Sequence, residues 1–139
     1  MKYIIACFLF LIVCCAQAQN MKGPLKLVEE ANGDAAPKIS GKSGVVEYSL
    51  KVKHGDFFNS PVIKPYPSAK NTGTKKLEFT LSLALFDASG NLVIAHSQST
   101  DIDPGEETQL ASFLMHMPTY DAWKKVASYQ LVAFTRDAD

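Results

Sequence analysis

The chain has 139 residues, 47% hydrophobic and 20% charged, with 14 Lys plus Arg against 14 Asp plus Glu. Such a composition belongs to an ordinary globular protein and excludes a disordered, collagen-like or disulfide-framework chain. Balanced charge supplies no strong field for nucleic acid or an anionic membrane, so no nucleic-acid partner is expected.

Residues 1–18 read MKYIIACFLFLIVCCAQA. Lys2 is a short positive head, an apolar run follows to Cys15, and Ala16-Gln17-Ala18 is a small-x-small cleavage site, the pattern of a secretory signal peptide. The run is shorter than the roughly 20 apolar residues of a spanning helix. Cleavage after Ala18 therefore predicts a secreted or periplasmic protein with no transmembrane span once the leader is removed. Lipid attachment at Cys14 or Cys15 is the less favoured processing, because a lipobox places a small residue before the acylated cysteine and Val13 and Cys14 stand there. Cys7, Cys14 and Cys15 all leave with the leader, so the mature chain would hold no disulfide and no cysteine nucleophile.

Residues 19–44 carry Gly23, Pro24, Asn32, Gly33, Pro37, Gly41 and Gly44, a loop-like composition read as a flexible N-terminal arm. The packed domain is expected over residues 45–136. Within it the hydrophobic period is two: Val46, Tyr48, Leu50 and Val52 alternate with polar residues, as do Leu77, Phe79, Leu81, Leu83 and Leu85. Residues 60–68 hold Pro61, Pro65 and Pro67, each lacking a ladder donor, which predicts a sheet edge or an irregular loop. Asp87-Ala88-Ser89-Gly90-Asn91 and Asp103-Pro104-Gly105-Glu106 read as turns. Further strands are expected at 92–96, 108–116 and 128–135, with one short helix around 118–125 before the last. About six or seven short strands separated by turn signals predict an all-β, antiparallel β-sandwich.

Asn71-Thr72-Gly73-Thr74-Lys75-Lys76-Leu77, Leu83-Ala84-Leu85-Phe86-Asp87-Ala88-Ser89-Gly90-Asn91-Leu92, Asp103-Pro104-Gly105-Glu106 and Ala127-Ser128-Tyr129-Gln130-Leu131 together resemble the FxLyD-type immunoglobulin-like domains. These are small bacterial and archaeal envelope domains named for a Phe-x-Leu-Tyr-Asp strand; here Leu83 stands for the Phe and Phe86 for the Tyr. The resemblance covers residues 71–134. It implies an immunoglobulin-like β-sandwich of the cell envelope, with no catalytic residue to carry over.

Met115-His116-Met117, with His96, offers the soft thioether and imidazole ligands that suit Cu(I), and a periplasmic copper-binding protein is the alternative function. On a strand, however, Met115 and Met117 face one way and His116 the other, the pattern of two core methionines beside a solvated histidine. Asp101, Asp103, Glu106 and Glu107 surround a turn without the spacing of a calcium loop. His54, His96 and His116 are present, but no nucleophile elbow, metalloprotease helix or phosphate loop accompanies them, so neither an enzyme nor a cofactor is expected. Residues 19–76 carry a net charge of +5 and residues 77–139 one of −6. Lys51, Lys53, Lys64, Lys70, Lys75 and Lys76 would form a basic docking face unless strands of the two halves interleave. Phe57-Phe58, in an expected loop after Gly55-Asp56, and Tyr66, between two prolines, are the candidate partner-binding residues, while Tyr120 and Trp123 are expected to cap the open end of the core. The expectation is a non-catalytic binding domain that presents loops or a sheet edge to another envelope protein or polymer.

Overall fold

The computed structural model describes residues 17–110, 115–116 and 121–139. Ten strands lie among them: β1 (Gln17–Pro24), β2 (Val28–Glu29), β3 (Lys38–Ser43), β4 (Val46–Phe57), β5 (Ser60–Asn71), β6 (Leu77–Phe86), β7 (Leu92–Ile102), β8 (Glu107–Gln109), β9 (Met115–His116) and β10 (Ser128–Asp137). Two 3-10 segments, Glu30–Ala35 and Ala122–Lys125, complete the path. The second is the short helix expected before the last strand. Asp121 precedes it, and its carboxylate pairs with Lys124 at 3.0 Å.

One sheet runs β1-β10-β6-β7; the other is built on β4 and β5, with β2 and β3 flanking β4, and β8 and β9 flanking β5. All pairings are antiparallel except the short β2–β4 contact. The all-β sandwich predicted from period-two patterning is the architecture found. Its chain order is a β3-β4-β5 meander in one sheet and a β6-β7 hairpin in the other, a different route from the ABED/CFG order of immunoglobulin constant domains.

Alternation decides which face packs. Phe79, Leu81, Leu83 and Leu85 of β6 with Leu131 and Ala133 of β10 meet Val46, Tyr48, Leu50 and Val52 of β4 with Ile63 and Ala69 of β5, all buried. Each aliphatic side chain so buried contributes about 1.5–3 kcal/mol.

Residues 19–44 are not an arm; they build edges of both sheets. β1 pairs with β10 from Gln17 to Pro24, and β3 pairs with β4 from Lys38 to Ser43. Gly23 and Gly41 are tolerated because each lies under a neighbouring side chain that needs the space, and Pro24 stands at the end of β1. The Tyr129 ring lies over Gly23, its cross-strand partner, 3.0 Å from where a Cβ would stand, and Tyr48 and Gln19 fill the same space over Gly41. Gln19 then joins the sheets: its Oε1 accepts from the Tyr48 hydroxyl at 2.7 Å and from the Lys42 amide at 2.9 Å. The expected cleavage point after Ala18 falls inside β1.

The proline-rich residues 60–68 likewise differ from expectation: they belong to a 12-residue strand, β5, rather than to an edge or loop. Pro61, Pro65 and Pro67 share one register parity with Asn71, whose amide donates to Glu106 O, and Pro67 O accepts from the Leu110 amide. Their backbone groups thus face the β8 side, where pairing is interrupted between Ile63 and Ser68, and the ladder to β4 keeps all its donors.

Candidate interaction surface

The β4–β5 hairpin closes through a two-residue turn, since Phe57 pairs with Ser60. Phe58 and Asn59 both have positive φ, 47° and 62°, the backbone of a type I′ turn. That turn favours Asn-Gly, because a side chain at positive φ crowds the backbone and costs about 1–2 kcal/mol. Asn59 tolerates it; Phe58 does not. Phe58 is nonetheless 88% exposed and meets Phe57, 40% exposed, edge-on at 4.6 Å between ring centroids. An aromatic side chain is held in solvent at a strained tip.

Tyr66 is not part of that tip. It faces Lys51 six residues further along the hairpin, roughly 20 Å from Phe57 by strand rise. There it donates to Glu30 at 2.6 Å, Lys53 Nζ stands 4.6 Å from its ring centroid, and Lys64 also pairs with Glu30. Burial, then the hydrogen bond to the Glu30 carboxylate, pushes the Tyr66 phenol up to about 12. The same carboxylate is held below its ordinary range, mainly by the hydrogen bond from Lys64 and then by that from Tyr66. Glu30 belongs to the 3-10 segment 30–35, so this cluster fastens the N-terminal segment onto the outer face of the β4–β5 sheet.

Between tip and cluster opens a cleft of about 340 Å³, lined by Glu29, Glu30, His54, Asp56, Trp123 and Lys124. His54 faces inward at the end of β4, 7% exposed, and stacks on Trp123 with centroids 3.7 Å apart and planes 12° from parallel. Burial lowers its pKa, against the weaker pull of Glu29 and Asp56. Trp123 packs on the core cluster as the expected cap; Tyr120 lies outside the described residues. The stack was hidden in the sequence because its members are 69 positions apart on unrelated elements.

The basic face is split. Lys75 and Lys76 pair with Asp137 and Asp101, at 3.5 and 3.1 Å, beside the β1-β10-β6-β7 sheet. Lys51, Lys53, Lys64 and Lys70 lie on the outer face of the other sheet, where Lys53 opposes Lys64 and Lys38 opposes Lys51.

Of the copper alternative, Met115 is 3% exposed and packed in the core cluster, and His96 lies on β7 opposite Leu83. Met117 and the His116 side chain lie outside the described residues. Among the described residues no three His, Cys, Asp or Glu side chains gather as a metal site. The acidic turn has structural work: Glu106 Oε2 accepts from the Asp103 amide at 2.9 Å.

The class of protein defined here is an all-β sandwich domain with an exposed aromatic hairpin tip. No family model matches the chain, the FxLyD type included, and no curated protein matches it in sequence. Among solved structures it is similar to a DUF1425 family member from Shewanella sp. pv-4, with 11% identity, TM-score 0.39, and 84% of this chain and 97% of that one covered. It is also similar to the Salmonella enterica trimeric lipoprotein SadB, with 8% identity, TM-score 0.44, and 99% of this chain and 72% of that one covered. No helix among the described residues is long and apolar enough to cross a membrane.

Proposed function

We propose that the chain is a non-catalytic binding domain exported to the bacterial envelope, where the Phe57–Phe58 tip docks another envelope protein. The observation that carries this reading is Phe58, which is 88% exposed at φ 47° in a two-residue turn. Strain that the fold does not need, spent on holding an aromatic ring in water, is what a partner pocket would recover, and buried aromatic anchors dominate interface energies. Export rests on the leader at residues 1–18.

Replacing Phe58 by a photo-crosslinking phenylalanine analogue in cells that export the protein tests the reading. The same analogue at Lys22, exposed on β1 of the opposite sheet, is the control. A discrete adduct from position 58 and none from position 22 is expected. No adduct at 58, or the same adducts from both positions, overturns the tip as the docking site.

A further inference from the structure

β7 forms one edge of its sheet; it pairs with β6 from Leu92 to Ile102 and has no strand on its other side among the described residues. The other edges carry the devices that keep edges from pairing, namely short strands, lysines and prolines. β1 bears Lys22 and ends in Pro24. The opposite sheet is bordered on one side by β2, of two residues, and β3, with Lys38 and Lys42, and on the other by β8 and β9, of three and two residues. β7 is different. It spans 11 residues, and residues 92–100 contain no Lys, Arg, Asp, Glu, Pro or Gly.

Both faces of β7 suit continuation of the sheet. Ala95, Ser97 and Ser99 point outward beside Ala84, Ser82 and Thr80, a low surface in which Ser97 bonds Ser82 at 2.7 Å and Ser99 bonds Thr80 at 2.6 Å. On the inner side the Gln98 Oε1 atom is buried with no hydrogen-bond partner among the described residues.

We infer that β7 pairs antiparallel with β7 of a second copy of this chain, merging two four-stranded sheets into one of eight. The occupant follows from charge. A neutral strand meets itself without repulsion at any register overlapping residues 92–100, and with the two-fold axis at Ser97, Asp101 lies beside Val93 of the other copy rather than beside another carboxylate. An isologous pair also closes on itself, so the edge is consumed and no filament grows.

Sedimentation of the full chain, as processed by its host, over a dilution series tests this first. A reversible dimer is expected; a monomer at every concentration overturns the inference. Ser97→Lys then sets two ammonium groups near the axis and should raise the dimer dissociation constant at least tenfold while circular dichroism stays unchanged; an undiminished dimer overturns it. Single cysteines at Ala95, Ser97 and Ser99, oxidised beside the unsubstituted chain to account for the leader cysteines, locate the axis. One position should crosslink far above the others, since cross-strand Cβ atoms lie about 4.5–5.5 Å apart only there; equal or absent crosslinking at all three excludes the strand pairing.

Discussion

The β4–β5 hairpin ends at Phe58 on one side and at Asn71 on the other, and the two ends are built on opposite terms. Asn71 is fully buried, yet every polar group of its side chain is matched: Nδ2 donates to Lys75 O at 2.7 Å and Ile102 O at 3.0 Å, and Oδ1 accepts from the Gly73 amide at 2.9 Å. Its backbone adds bonds to Glu106 O and from the Gly105 amide. One side chain thereby ties β5, the end of β7 and two turns together. At the tip the backbone is strained and the apolar surface is in water. Polar atoms buried and satisfied mark where the fold is held; apolar atoms exposed at a conformational cost mark where something else is to be held.

The largest effect should come from breaking the satisfied end. Asn71→Leu keeps the branched shape but leaves two carbonyls and one amide without their partner, the Ile102 carbonyl in the interior, a loss on the order of 3 kcal/mol in urea unfolding. A loss below about 1 kcal/mol would mean that water replaces the side chain and that the end is not closed.

The strained end should respond in the other direction. Phe58→Ala and Phe58→Gly remove the same ring, but only glycine accepts φ 47° without crowding. The glycine variant should be the more stable of the two by about 1 kcal/mol, read from their urea midpoints. Equal midpoints would remove strain from the argument for the tip.

This contrast was only half legible in the sequence. Alternation at Val46–Val52 and Leu77–Leu85 located the core strands because burial on one face leaves a period-two trace. The turn at Asp87–Asn91 was equally plain: Gly90 has φ 82°, and the Asp87 carboxylate accepts from the Ser89 and Asn91 amides. Residues 19–44 misled because edge strands tolerate glycine and proline, and β5 misled because its three prolines all fall on the parity facing away from β4. Phe57 and Phe58 were visible as exposed aromatics, but a Phe-Asn pair carries no type I′ signature, so the strain was not. Asn71 stood in the sequence only as part of the resemblance, with nothing to announce a buried hub.

The cleft beside the tip offers a smaller, pH-dependent effect. Burial lowers the His54 pKa below 6.5, so the unfolded chain takes up a proton before the folded one does. The stability His54 contributes is complete above pH 6.5 and is lost as pH falls through the lower folded value. Trp123 is the only tryptophan and stacks on this imidazole, so its fluorescence should change with a midpoint below 6.5, and His54→Gln should abolish the transition. A midpoint at or above 6.5 would place the imidazole in water and undo the stack.

The smallest effect belongs to the cluster that fastens residues 30–35 to the sheet, and it appears at the alkaline end. The Tyr66 phenol is held up to about 12, by burial first and by its bond to Glu30 second, against an ordinary value near 10. Between those values the unfolded chain has released a proton that the folded chain retains. The stability Tyr66 contributes is therefore complete below pH 10 and is lost as pH rises toward 12. Tyr66 and Glu30 are both partly exposed, so screening keeps the loss small, and the test is its shape rather than its size. Tyr66→Phe should flatten the decline over that range while changing neutral-pH stability by about 1 kcal/mol or less, the worth of one exposed hydrogen bond. A decline of the same slope in the variant would assign it to other groups and leave the 30–35 segment held by Lys64 alone.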